Sequence, residues 1–259
     1  MGRSSRLGLA STYYRMLRFF DLPERFVVLP EFKREISAAL EQTITTIWTK
    51  EKAERDSRLF NGQLFSIEEI SAGSVTGSFV EYRLFLAQLR RPELFSELRV
   101  QPLAVTGLLQ NSEGLFFGLR SSTSALQPDR WELVPAGGID SGRMSAAGDI
   151  EPDRQLLAEL GEELGLNSSD VRSPRLVGFC EEPELHIFDL VFDLESTLET
   201  KAIVSAHAAL RNPEHEEIRC VPWKDVEGFI ADNDLAIAAG NRDLLRHIAP
   251  GKRRMHQSN

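Results

Sequence analysis

Only two cysteines, Cys180 and Cys220, occur in 259 residues. That is too few for a disulfide framework or a cysteine-rich zinc site. Both read as small, buried apolar residues in strands, with a single bridge between them left open. No run of about 18 apolar residues is present, which argues against a membrane-spanning helix. Residues 1–18 are basic and mixed, without the continuous apolar stretch of a secretion signal. A cytoplasmic location is therefore the expectation. No repeat of about 20–50 residues is visible, so a solenoid is not expected. Positive charge is also short: 30 Lys and Arg stand against 39 Asp and Glu, a formal net charge of -9. This balance argues against nucleic acid or an anionic membrane as partner. A small anionic substrate stays compatible with it, because a bound cation inverts the local field. Histidine is scarce as well, and His186, His215 and His247 form no motif, so each reads as a structural or surface residue.

What is present suits a soluble chain with a core: 42% hydrophobic and 27% charged residues, in the ordinary range. The pattern divides at about residue 100. In the first part, Phe26–Leu29 reads as a strand. A helical period runs from Glu31 to about Arg55 through Phe32, Ile36, Leu40, Thr43 and Ile47. Residues 64–70 read as a strand, 71–78 as a turn with Gly73 and Gly77, and 79–86 as the returning strand. Pro92 to Gln101 reads as a connection. The second part opens with a hairpin, strands 103–109 and 115–120 around Asn111-Ser112-Glu113-Gly114, followed by a polar loop to Arg130. Trp131–Pro135 is a short strand, and Ala136-Gly137-Gly138 lets the backbone approach something closely. Residues 139–149 read as a loop. Pro152 suits the first turn of a helix and Gly165 its end. Strands follow at 176–180 and 185–194, with an acidic turn at Glu181, Glu182 and Glu184 between them. Then come a short helix within 196–210, an acidic loop at 212–217, a strand at 218–223, and helices at 225–231 and 237–248. Trp131 and Phe179 read as core. The expected organisation is an N-terminal α+β extension (1–100), a main domain (101–250) and a disordered tail (251–259), with a homodimer left open.

Possible chemistry is densest at Ala158-Glu159-Leu160-Gly161-Glu162-Glu163-Leu164-Gly165-Leu166. At roughly 100° per residue, Glu159, Glu162 and Glu163 share one arc of the helix, beside an apolar stripe of Leu157, Leu160 and Leu164. Like charges so spaced cost about 0.2–0.5 kcal/mol per pair. A divalent cation reverses that sign, and hard oxygen ligands suit Mg²⁺, Mn²⁺ or Ca²⁺. A merely solvated acidic face is the competing reading.

Together with Pro135-Ala136-Gly137-Gly138 and the later Glu216-Glu217-Ile218-Arg219-Cys220-Val221-Pro222-Trp223, this segment resembles the Nudix hydrolases. The matching part of that family's box falls on Glu159, Leu160, Glu162, Glu163, Gly165 and Leu166. The resemblance covers somewhat over half the chain. It implies an α/β/α sandwich of mixed sheet and helices, with a smaller N-terminal α+β domain. It also implies metal-assisted hydrolysis, with Mg²⁺ or Mn²⁺, of a nucleoside diphosphate linked to another group. Glu159, Glu162, Glu163 and the Gly138 carbonyl match the metal ligands. Glu159, Glu216 and Glu217 are candidate catalytic residues, with Glu214 on the same loop, and Gly137, Gly138 and Arg120 are candidates for substrate contact. Two departures stand out. The box arginine falls on Ala158, and Gly138 precedes Glu159 by 21 positions rather than 15, leaving six extra residues in the 139–149 loop. Arg143 or Arg154 could replace the missing cation. Pieces of the first part (Tyr13-Tyr14, Asn61–Phe65, Tyr82–Leu86) look similar to Nudix enzymes acting on UDP-glucose and UDP-galactose, which share both departures. ADP-ribose, NADH and dinucleoside polyphosphates stay open as substrates. So do a module that binds nucleotide without cleaving it and a scaffold that uses the acidic face only as surface.

Overall fold

The computed structural model describes residues 16–30, 34–55, 59–234 and 236–256, with side chains to residue 247. Its eighteen named elements, in chain order, begin with β1 (Arg18–Phe19), β2 (Arg25–Val28), α1 (Ala38–Glu54), β3 (Gln63–Ser71), β4 (Ser74–Glu81), α2 (Tyr82–Arg90) and α3 (Phe95–Leu98). They continue with β5 (Leu103–Gln110), β6 (Leu115–Arg120), β7 (Trp131–Leu133), β8 (Ala136–Gly138) and α4 (Pro152–Leu164). Last come β9 (Arg175–Glu182), β10 (Ile187–Glu195), α5 (Thr200–Ala208), β11 (His215–Val221), α6 (Val226–Asp232) and α7 (Ala239–His256).

The strands that are apolar on both faces build one large mixed sheet in the order β1-β9-β10-β5-β6-β11, with β7 beside β6 and β8 beside β5. Only β10 and β5 run parallel within it. Leu108 and Leu109 on β5 are both fully buried and belong to different clusters. One cluster gathers Leu156, Leu160 and Leu164 of α4 and Ile203 of α5. The other gathers Val226 and Ile230 of α6 and Leu244 and Leu245 of α7. Helices therefore cover both faces, giving an α/β/α sandwich.

Strand β5 keeps two partners on one edge. Its first half pairs with β8, Ala104 opposite Gly138 and Thr106 opposite Ala136. Its last residue pairs with β6, Gln110 opposite Leu115. The sheet thus splays at the N-terminal end of β5, and β7 and β8 fill the wedge.

The first part of the chain forms a second sheet, β2-β4-β3, backed by α1 and α2. Its core is continuous with the main one: Phe65, Ile67 and Val75 join Leu103 and Val105 in one cluster. Strand β1 crosses over to pair with β9.

Several sequence expectations are corrected here. The turn expected over 71–78 is shorter, because Gly73 takes the left-handed conformation (φ 70°) that closes the hairpin by itself. Gly77 lies inside β4, where a Cβ would collide with the Ser66 carbonyl, so it marks close strand approach and not a turn. The expected strand 79–86 ends at Glu81, and Tyr82–Arg90 is helical, burying Leu84, Phe85 and Leu86. Strand β9 runs on through Glu181 and Glu182, and β11 starts at His215. Helix α1 starts at Ala38 behind the Ser37 cap, whose side chain accepts from Leu40 N. Residues 31–33 of the expected helix and Tyr13-Tyr14 lie outside the described residues. Helix α7 continues to His256 where a disordered tail was expected from residue 251. Pro250 removes one backbone donor, and the helix runs past it. Cys180 is buried, Cys220 is half-buried, and both thiols are free. Among the described residues no helix is long and apolar enough to cross a membrane.

Candidate active site

Helix α4 begins and ends as its residues require. Pro152 occupies the first turn, Asp153 faces the positive helix end, and Gly165 closes the helix at φ 69°. Leu156, Leu160 and Leu164 are fully buried, each worth about 1.5–3 kcal/mol, with Leu157 packed at the edge. That burial fixes the rotation of the helix, and the rotation separates its three glutamates.

Glu163 is only 2% exposed. Its Oε2 accepts from Ala136 N at 3.2 Å, whereas Oε1 is buried with no hydrogen-bond partner among the described residues. Burial, with the charges of Glu214, Glu132 and Glu159 added, pushes its carboxyl well above the ordinary range. Glu159 leans against the same strand. A Cβ on Gly137 would collide with its carboxylate, so any larger residue there would have to push Glu159 aside. Burial, then the charges of Glu162, Glu214 and Asp140, push Glu159 up to about 7, and a hydrogen bond from Gln155 Nε2 (2.7 Å) only partly offsets this. Gly138 borders open space, with nothing within 4 Å of a built Cβ.

Glu162 is different. It is exposed and ion-paired with Arg143, at the end of the short 3-10 turn Ser141–Arg143. The extra loop thus supplies the cation that Ala158 cannot. Arg154 is not that cation, because it pairs with Glu151.

Glu159 borders a cleft of about 950 Å³, lined also by Gly137, Gly138, Asp140, Arg120, Glu132 and Glu214 among others, and Glu163 lies behind its Ala136 wall. Arg120 lies at its wall, held by Glu132 (2.7 and 2.9 Å) and Glu214 (2.9 Å). Glu132 also bonds His215 Nε2 at 2.7 Å, and His215 is completely buried. Burial alone would raise Glu132, but Arg120 and His215 outweigh it and hold the carboxyl below the usual range. Arg120 therefore enters the site as the partner of two carboxylates and not as an isolated phosphate ligand.

Glu216 and Glu217, the expected catalytic pair, do not reach the cleft. Glu216 accepts from Ser122 N at 3.2 Å, and Glu217 pairs with Arg219 at 2.7 Å on the outer surface. The register of β11 shifts between His215 and Glu217, and this bulge re-aims the side chains. Glu214, two positions before Glu216, is the glutamate of that segment on the cleft, beside Asn212 and Pro213.

On the other side, one residue of the acidic turn Glu181, Glu182 and Glu184 reaches the site. Glu182 and Asp189 line the cleft, and burial pushes them up to about 7 and about 6. Thr106 Oγ1 donates to Asp189 at 2.9 Å. Glu181 instead pairs with Arg18 at 3.2 Å. Glu132, Glu182, Asp189 and the fixed position of Glu214 carried no motif. Glu132 and Asp189 are placed by strand pairings distant in sequence, and Glu214 by its ion pair with Arg120. His186 stacks on Phe95 and His247 on Phe19, with ring centroids 3.5 and 4.0 Å apart, as structural residues.

Among the described residues no three His, Cys, Asp or Glu side chains stand together as a ready metal cluster. Glu159 and Glu163 nevertheless fit a hard divalent cation. Both carry oxygen donors, neither has a cationic partner, Glu163 is buried and Glu159 half-buried, and the Glu163 Oε1 atom lacks any partner. Glu162 is engaged elsewhere.

No family model and no curated protein matches this sequence. Among solved structures, DR0079 from Deinococcus radiodurans is similar at 19% identity over 56% of this chain and 82% of its own, with a TM-score of 0.43. A NUDIX-family hydrolase from Clostridium perfringens is similar at 12% identity over 58% and 97%, with a TM-score of 0.34. A bifunctional NMN adenylyltransferase/ADP ribose pyrophosphatase from Francisella tularensis, complexed with AMP and a Mn ion, is similar at 12% identity over 64% and 46%, with a TM-score of 0.43. Likenesses this distant carry no weight for activity.

Proposed function

We propose that the protein is a divalent-cation-dependent pyrophosphohydrolase of the Nudix type, acting on a nucleoside diphosphate linked to a sugar. The observation that carries this reading is the Glu159–Glu163 pair. Buried Glu163 and half-buried Glu159, neither with a cationic partner, press against the strand of Ala136, Gly137 and Gly138 that lines a large cleft, with Glu159 itself on the cleft wall. An unpaired buried carboxylate is costly, and a cation together with an anionic substrate offsets that cost. Glu159 and Glu163 would hold Mg²⁺ or Mn²⁺, with the Gly138 carbonyl nearby. The bound cation would neutralise pyrophosphate charge.

The residues of the chain supply the rest. Arg120, held by Glu132, which His215 bonds in turn, fixes Glu214 through its Oε1. That leaves Glu214 Oε2 to take a proton from water, which makes Glu214 the candidate general base. The water oxygen bonds to phosphorus, the bridging phosphoanhydride bond breaks, and the products are a nucleoside monophosphate and a sugar phosphate. The sugar is favoured by the opposite wall, where Glu182 and Asp189, the latter fixed by Thr106, offer acceptors suited to hydroxyl groups.

Incubation with Mg²⁺ and UDP-glucose, UDP-galactose, ADP-ribose, NADH or a diadenosine polyphosphate tests the reading. UDP-sugars are expected to give UMP and sugar 1-phosphate most rapidly. Nucleotide binding with no product from any of these compounds would replace the enzyme with a binding module.

A further inference from the structure

Resting on that reading, we infer that Phe60 is the stacking platform for the base of the nucleotide, so that the N-terminal unit selects the base while the main sheet carries the chemistry. Among the described residues, Phe60 is the large apolar side chain that both lines the cleft and stands open to solvent, at 80% exposure. The other exposed large hydrophobics (Met16, Phe19, Leu22, Val27 and Val204) do not line it.

The ring is presented by an anchored backbone. Asn61 Nδ2 donates to Glu81 Oε1 at 2.9 Å, and Asn61 Oδ1 accepts from Arg83 N at 2.9 Å. Tyr82 N donates to the Gly62 carbonyl at 2.8 Å. Gly62 sits beneath the ring, with a built Cβ 3.4 Å from two of its atoms. One side of the ring is therefore backed by the chain, and an 80%-exposed ring has area left for a planar partner.

The position relative to the carboxylates also suits a nucleotide. Leu64 bridges to Asp140, and Phe65 N donates to the Ile139 carbonyl at 2.8 Å. The Phe60 segment thus joins the chain that leaves Gly138. Four residues separate Phe60 from Leu64, a span of at most about 14 Å. Gln63, exposed on the same wall, carries an amide that can both donate to and accept from a base edge. Stacking of this kind is sequence-tolerant by itself, since every base has a π-face, and Gln63 would add the discrimination.

The test is calorimetric titration of the full chain, wild type, Phe60→Ala and Phe60→Trp, with UMP, AMP and ribose 5-phosphate. Phe60→Ala is expected to weaken both nucleotides about tenfold or more, Phe60→Trp to restore them, and ribose 5-phosphate to bind all three proteins equally. Equal nucleotide affinity in wild type and Phe60→Ala overturns the inference, as does an equal loss for ribose 5-phosphate, or no nucleotide binding by the wild type. Hydrolysis assays separate this inference from the functional reading. Turnover with an unchanged KM in Phe60→Ala sinks the platform and leaves the hydrolase. Phe60-dependent nucleotide binding with no turnover of any diphosphate sinks the hydrolase and leaves the platform.

Discussion

Glu51 and Glu163 are both buried carboxylates, 6% and 2% exposed, and they are kept in opposite ways. Glu51, on α1, receives Arg90 at 2.6 and 2.8 Å and Arg55 at 2.8 Å. Those hydrogen bonds, Arg90 first, outweigh its burial and hold it at about 2. Glu163 receives a single backbone amide, and its carboxyl is driven upward. The fold evidently has arginines to spend on a structural carboxylate. At α4 it places them elsewhere: Arg143 on exposed Glu162, and Arg120 on Glu132 and Glu214. A buried carboxyl left without a counter-charge, beside a cleft, marks a place where a cationic ligand would supply it.

The comparison breaks most visibly at the site. Glu163→Gln removes the unpaired charge and keeps the acceptor for Ala136 N. Turnover of the preferred diphosphate is expected to fall about 1000-fold, the several kcal/mol assigned to cation assistance, measured as kcat by phosphate-product assay. Gly137→Ala pushes a methyl group into Glu159. Displacing a reacting group by about 1 Å costs about 100-fold, so kcat should drop by that order while circular dichroism stays native.

At the paired carboxylate the effects are on stability. Glu51→Ala strands two partly buried arginines and is expected to cost about 3 kcal/mol, read from the urea midpoint. The pH dependence follows from the same pairing. The folded value of about 2 lies below the ordinary 4.5, so the contribution is complete above about pH 4.5. It is lost as pH falls from there through about 2. Over that window the wild type should lose about 3 kcal/mol more than Glu51→Gln. The smallest effect belongs to Arg143→Ala. Its exposed pair with Glu162 is worth at most about 1 kcal/mol, and turnover should change by less than about tenfold.

Periodicity and end signals were enough to read α4. Pro152, the leucine stripe and Gly165 bound it as expected, and the surplus loop did supply a replacement cation in Arg143. The helix rotation was less legible. Leu156 and Gln155 are buried as well, which turns Glu163 inward and Glu162 outward, although all three glutamates share one arc. The β11 segment misled for a physical reason. The segment 212–217 reads as a loop, whereas strand β11 already begins at His215 and carries a bulge between His215 and Glu217. Glu214 thereby takes the place expected of Glu216 and Glu217. Glu132 and His215 meet across 83 positions of sequence, a distance over which no local pattern reports.

The most direct test is the melting temperature with and without Mn²⁺ for wild type, Glu163→Gln and Glu51→Gln. Cation binding to the folded state raises the wild-type value by mass action. Glu163→Gln should show no rise. Glu51→Gln should start lower and rise as much as the wild type. A flat response in the wild type, or an equal rise in Glu163→Gln, would contradict the assignment of the unpaired carboxylates to a cation.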